Sequence, residues 1–325
     1  MDPALHTRLT VIDGLIVSRW HRPVFEAMRD AGISAANCTC SVWEDFPATM
    51  KMVANWKQWF RENDDLLTQV YSTTDITKAK SDGRVGVILG WQNTTGFGDY
   101  LPLVSVYHEL GLRIVQLTYN TTNTVGSGCY ESSDTGLTDF GHDLLDELNQ
   151  AGILVDLSHV GPKTSNDAIL HSRQPVAYSH CLPAGLKQHP RNKSDEEIRF
   201  IAERGGFVGV TFFPPFLKKG ASSTIDDYLD AIEYVVNLAG EEQTGIGTDF
   251  TQDQDSSFFD YITRDKGYGR SLASFGEIIN PEGIRRIEDY PNLTVAMQRR
   301  GWPEARIERI MGVNWMTMLQ RVWGA

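Results

Sequence analysis

The stretch ILVDLSHVGPKTSNDAILHSRQPVAYSHCLPAGLKQHPRN, Ile153 to Asn192, decides the fold. Two apolar runs each end in Ser-His, at Ser158-His159 and Ser179-His180. The residues between them read as a turn and a short helix. A strand, a helix and a second strand in that order form a βαβ unit whose strands run parallel. Both histidines then lie at the carboxyl ends of neighbouring strands, the end where α/β proteins build their sites. Two imidazoles placed there suit a divalent transition metal. Arg191 follows closely and adds a cation to the same region.

Working outward, apolar runs alternate with amphipathic segments along the chain. The candidate strands are 11–17, 35–43, 85–91, 112–119, 153–159, 175–180, 207–213 and 243–250. Several intervening segments end in Gly, the usual residue just past a helix, and Ser194 with Glu197 reads as a capping box. Eight strands separated by helices predict a closed (β/α)8 barrel, an α/β fold. The competing reading is an open doubly wound sheet, but no G-x-G-x-x-G follows an early strand. An insert helix is expected over MVANWKQWFRENDDLL, residues 52–67. Residues 251–282 are polar, aromatic and aperiodic, and are expected to cover the barrel mouth as a long loop with a short helix. Two extra helices, 282–301 and 303–323, close the chain, and one domain over 1–325 is the economical reading.

Composition bounds the partners. The chain carries 30 basic against 42 acidic side chains, a net charge of -12, which argues against nucleic acid or an anionic membrane as partner. No apolar run approaches the roughly 20 residues of a membrane span, and the start of the chain has no secretory pattern. The four cysteines, Cys38, Cys40, Cys129 and Cys181, are too few for a disulfide scaffold and fit a reducing, cytoplasmic setting.

The strand ends assemble a candidate site. Gln92 follows the third candidate strand, Tyr119 ends the fourth, His159 and His180 end the fifth and sixth, and Asp249 ends the eighth. With Arg191 they place two imidazoles, a carboxylate, an amide, a phenol and a guanidinium around one mouth. Their shared placement carries the signal, since Asp249 alone could cap a turn and Arg191 alone could be a surface ion pair.

At these residues the chain resembles the membrane (renal) dipeptidases, amidohydrolase-like metallopeptidases. The resemblance rests on VIDG at strand one, LTDFGHDLLDELNQAGILVDLSHV, PVAYSH, HPRNKSDEEIRFIAERGGFVGV, GIGTDF, PNLTVAMQRRGW and IMGVNWMTML. It implies the barrel fold, a dipeptide substrate and a homodimer. It also implies two zinc ions bridged by a glutamate, with a His-x-Asp pair on strand one completing one site. His159 and His180 match the histidines of the other site, Arg191 the substrate arginine, and Asp249 the acid that handles the catalytic proton. The chain departs from that pattern at the remaining ligands. The His-x-Asp pair falls on Leu15 and Val17, the bridging glutamate on Gln92, and a substrate histidine on Tyr119. Hydrocarbon and a neutral amide cannot hold two dications roughly 3.5–4 Å apart.

The expectation is therefore a metallohydrolase for a dipeptide or small amide with a free carboxylate, using one divalent metal, zinc by its donor set. His159, His180 and Gln92 are the candidate ligands, Asp249 the catalytic base, and Arg191 and Tyr119 the substrate-binding residues. Cys38 or Cys40 could add a thiolate, and the segments around Trp56, Trp59 and Trp315 could supply dimer contacts or simply be core. The alternatives are a lyase or isomerase acting on an amino-acid derivative, and a catalytically silent binding protein.

Overall fold

In the computed structural model, which describes residues 2 and 4–324, nine strands form one parallel sheet. They are β1 (Ile12–Ile16), β2 (Ala35–Ser41), β3 (Leu67–Gln69), β4 (Val85–Trp91), β5 (Leu112–Gln116), β6 (Leu154–Asp156), β7 (Ala177–Cys181), β8 (Phe207–Val210) and β9 (Thr244–Ile246). The order is β1-β2-β4-β5-β6-β7-β8-β9, with β3 paired to β4 alone. The eight runs read as strands are β1, β2 and β4 to β9. The sheet closes on itself beyond β9. The Val17 amide donates to the Phe250 carbonyl and the Asp249 amide to the Leu15 carbonyl, both at 2.9 Å. The fold is an α/β barrel of the (β/α)8 type.

Three elements differ from the sequence reading. β3 was absent from it, because three residues carry too little alternation to stand out in an insert. β3 pairs with the first three residues of β4, while β5 joins β4 only from Leu89 onward. The insert helix spans Phe46–Glu62, starting earlier than 52. The Asp45 carboxylate caps it by accepting from the Ala48 amide at 3.1 Å, and Pro47 sits in its first turn. The last helix is not continuous. Glu304–Glu308 runs into a π turn at Arg309–Val313 before Asn314–Trp323 resumes. Gly312 sits in that turn because a Cβ there would lie 2.1 Å from the Thr10 carbonyl. The Ser194–Glu197 capping box forms as read.

The barrel floor is apolar. Ile12, Ala35, Ile88, Ile114, Leu154, Ala177 and Phe207 meet Trp315, Met318, Leu319 and Val322 of the last helix in one buried cluster. Trp315 donates its indole N–H to the Ile246 carbonyl at 2.8 Å. Gly14 makes room for the ring, since a Cβ there would fall 2.5 Å from it. Trp56 is likewise fully buried, so neither of these tryptophans offers a dimer surface. Cys38 and Cys40 are packed in the hydrophobic core, burial raises both thiols, and neither lines the cavity at His159. Among the described residues no helix is long and apolar enough to cross a membrane.

A buried carboxylate fastens the seam between first and last strands. Asp13 accepts from the Thr248 hydroxyl at 2.5 Å, the Thr248 amide at 2.9 Å and the Leu15 amide at 3.1 Å. Burial outweighs those donors and raises the Asp13 carboxyl to about 6. The folded chain then holds a proton that the unfolded chain releases above about 4. Asp13 thus favours the fold most below about pH 4, and that contribution is lost as pH rises through about 6. The expected loss is about 3 kcal/mol over this window. Denaturant titrations of wild type and Asp13→Asn at pH 4 and 7 check it, because the variant should lack this component of the slope.

Candidate active site

The site is built on a second buried carboxylate, Asp156, at the end of β6. Its Oδ1 accepts from the Ser158 amide at 3.0 Å, the Ser158 hydroxyl at 2.6 Å and the Ser179 amide at 2.9 Å. Its Oδ2 accepts from the Ser179 hydroxyl at 2.5 Å. Burial raises this carboxyl, and the four donors pull against that. The consequence reaches both histidines. The Ser179 hydrogen is engaged by Asp156, so Ser179 Oγ accepts from His180 Nδ1, 2.7 Å away. On the other side, Asn120 Oδ1 lies 2.7 Å from His159 Nδ1, and a carboxamide oxygen only accepts. Asn120 Nδ2 meanwhile faces the Ile262 carbonyl at 3.5 Å, which fits that orientation of the amide.

Both imidazoles therefore carry their proton on Nδ1, and both Nε2 lone pairs face each other across 3.0 Å. Burial first, then the Arg191 charge, pushes both rings well below the ordinary histidine range, so they are neutral. Two lone pairs at that distance repel unless a proton or a metal ion lies between them.

Around this pair the chain gathers the other candidates. One cavity is lined by Val17, Gln92, Tyr119, His159, Arg191 and Asp249. Asp249 sits at a positive φ of 63°, a conformation that Asp tolerates better than most residues. Burial raises its carboxyl to about 7, partly offset by Arg191. Tyr119 stacks on His159 with ring centroids 4.2 Å apart and planes 24° apart. Arg191 is 1% exposed, and its two Nη atoms donate to the carbonyls of Ser158 and His180. Its Nε has no partner among the described residues. Gln92 Nε2 donates to the Thr39 hydroxyl at 2.9 Å, which leaves Oε1 as its free acceptor. Phe258, Ile262 and Phe275, from the segment read as a cover, close the cavity. What remains is about 20 Å³, room for one water.

All six residues picked from the sequence thus border one cavity or, for His180, touch one that does. Val17 is on the wall as well. Sequence reading did not assign roles to Asn120, Asp156 and Ser179, which set the imidazole protons. The repeated Ser-His, with Asp two residues before Ser158, was the available signal.

The donors fit one ion. Nitrogens 3.0 Å apart can both reach an ion at Zn–N bonds of about 2.0–2.1 Å, and a hydrogen bond on the far nitrogen is usual for metal-binding imidazoles. They do not fit two. Among the described residues no group of three His, Cys, Asp or Glu side chains converges to hold a metal.

A membrane dipeptidase family model matches residues 24–264. The chain belongs to the membrane dipeptidase family. It is 55% identical to an amidohydrolase from Pseudomonas aeruginosa of known crystal structure, over 100% of both chains, with a TM-score of 0.99. A metallopeptidase from Rhodobacter sphaeroides, solved with a phosphinate mimic of the dipeptide L-Ala-D-Ala, shares the fold at 19% identity. That match has a TM-score of 0.82 and covers 97% of this chain and 99% of the other. An uncharacterized dipeptidase of Schizosaccharomyces pombe is 28% identical over 86% of this chain, and a dipeptidase of Claviceps purpurea 27% over 79%. The matched regions span 61% and 56% of those two proteins.

The proton positions are directly measurable. With zinc bound, imidazole nitrogen NMR should show both His159 and His180 as the Nδ1–H form. In metal-free Asn120→Leu, His159 should carry its proton on Nε2 and donate to His180, which stays Nδ1–H, whereas an Nδ1–H His159 would show that Asn120 does not set it.

Proposed function

We propose that the protein hydrolyses a dipeptide or small amide with a free carboxylate, using one divalent metal, zinc by its donor set. One arrangement supports this reading. The His159 imidazole, with His180 directly behind it, a carboxyl raised to about 7 and a buried guanidinium meet at one closed cavity. His159 and His180 would hold the ion, with Gln92 Oε1 the neutral oxygen on the same wall. When bound, the ion would polarise the scissile carbonyl and acidify water.

The chain's own groups do the rest. Asp249, as carboxylate, takes the proton of the attacking water and hands it to the leaving amine. A base that titrates at about 7 is matched to neutral conditions. Arg191 offers its unpartnered Nε–H to the substrate carboxylate, and its bonds to Ser158 and His180 fix its position beforehand. Burial holds the Tyr119 hydroxyl protonated, so it can donate to a developing oxyanion. The aromatic cover keeps bulk water out. Four cysteines without a disulfide suit a reducing compartment.

A second reading keeps the barrel and changes the reaction to a lyase or isomerase step on an amino-acid derivative. It is favoured by the lack, among the described residues, of a third His, Cys, Asp or Glu ligand, together with a histidine pair able to share one proton beside Asp249.

Elemental analysis separates the two. Near one zinc per chain is the expected result, near two would refute the single-ion site, and none would favour the second reading. A triple replacement, Leu15→His with Val17→Asp and Gln92→Glu, should raise the count towards two and create or increase activity on ordinary dipeptides.

The base is tested through pH. Activity of the wild type should rise as pH passes about 7, where Asp249 becomes a carboxylate. Asp249→Asn should lower kcat by about 10²–10⁴-fold, with KM little changed, and abolish that limb. A limb that survives in the variant assigns the base elsewhere.

A further inference from the structure

The inner cavity, at about 20 Å³, holds one water and not a dipeptide. Beside it lies an outer cleft of about 480 Å³. Tyr130 and Phe275 line both and so form the partition between them. Phe275 is held there by edge-to-face contacts with Phe213 and Phe216, at centroid distances of 5.4 and 5.8 Å. Contacts of this kind are weak one by one, so Phe275 is the lightly held side of the partition.

One donor at the partition has no acceptor among the described residues. The Tyr130 hydroxyl is buried and has no hydrogen-bond partner. A buried unpaired hydroxyl costs free energy and is kept where a ligand completes it. His189 Nδ1 accepts from the Arg191 amide at 3.1 Å. Burial, then Arg191, lowers this ring to about 4, so it is neutral with its proton on Nε2. Lys187 also borders the cleft, but its ammonium is turned to the carbonyls of Pro215 and Leu217 at 2.7 and 3.0 Å. Glu277 lies on the same cleft and offsets that charge. The balance favours an uncharged group with a strong acceptor over an anion.

We infer that the outer cleft is a subsite for an uncharged polar side chain, a carboxamide, on the carboxyl-terminal residue of the substrate, reached past Phe275. The inference rests on the proposed hydrolase reading, which sets the substrate carboxylate at Arg191. The loop carrying Arg191 also carries Lys187 and His189, so the residue bearing that carboxylate is the one whose side chain faces the cleft. The carboxamide oxygen accepts from Tyr130 O–H and His189 Nε2–H, and its NH2 donates to Glu277.

Calorimetric titration of the full-length protein with phosphinate mimics of Ala-Gln, Ala-Glu and Ala-Leu tests this. The Ala-Gln mimic should bind about tenfold tighter than each of the others, the worth of about one hydrogen bond. Tyr130→Phe should bring Ala-Gln and Ala-Leu within about twofold by weakening Ala-Gln alone. Equal binding in wild type, no binding of any mimic, or a preference that survives Tyr130→Phe overturns the subsite. Phe275→Ala should speed association of the Ala-Gln mimic several-fold, and an unchanged rate overturns the partition. Turnover of Ala-Gln is measured alongside. A binding preference without turnover supports the subsite and sinks the hydrolase reading, while turnover without the preference does the reverse.

Discussion

The Asp156 carboxylate is the constraint on which the site depends. A buried carboxylate is costly unless its oxygens are filled, and four donors from Ser158 and Ser179 fill them. Those donors come from the ends of two adjacent strands, so satisfying one charge also sets the spacing of β6 and β7. The same hydrogen bonds decide a proton position one residue further on. Ser179 can only accept from His180, and His180 is left with its lone pair on Nε2. Replacing Asp156 by an apolar residue would leave two hydroxyls and two amides without their acceptor, at a cost of about 1–3 kcal/mol for each stranded group.

Asp13 does for the barrel seam what Asp156 does for the site. Each is a buried Asp that binds an amide and a hydroxyl on a neighbouring strand end, Thr248 in one case and Ser179 in the other. Both fix backbone that carries candidate functional groups, Asp249 just beyond Thr248 and His180 next to Ser179 in β7. Arg191 adds a third tie by binding the Ser158 and His180 carbonyls with one planar guanidinium. The imidazoles are therefore held from the backbone side and the ring side together. This rigidity suits a site whose work is to place lone pairs.

Hydrocarbon at Leu15 and Val17 changes what this scaffold can hold. Leu15 is 1% exposed and Val17, on the cavity wall, 7%, so both are buried. Burying a Val or Leu side chain contributes roughly 1.5–3 kcal/mol, where an ionised ligand in the same place would need a metal to be stable. The half of the site nearest β1 has thus become packing, while the half on β6 and β7 keeps its full hydrogen-bond support. That asymmetry separates this chain from the two-metal pattern its family resemblance implies.

The sequence by itself determined the barrel, because alternation of apolar runs with amphipathic helices is a local signal repeated eight times. It also determined which side chains gather at the mouth, since every parallel strand ends on the same face. His159, His180, Gln92, Tyr119, Arg191 and Asp249 were legible for that reason. The short strand β3, the early start of the insert helix and the π turn at Gly312 were not, because each depends on one contact: with β4, with the Asp45 cap and with the Thr10 carbonyl. Only the tertiary structure decided the proton positions on the two imidazoles. They are set by Asn120 from β5's end and by Asp156 through Ser179, across separations of 39 and 23 residues. It alone showed that Cys38 and Cys40 face the core and that Phe275 closes the cavity. Hydrophobic period is written along the chain, whereas a hydrogen bond's direction depends on which distant partner has a free lone pair.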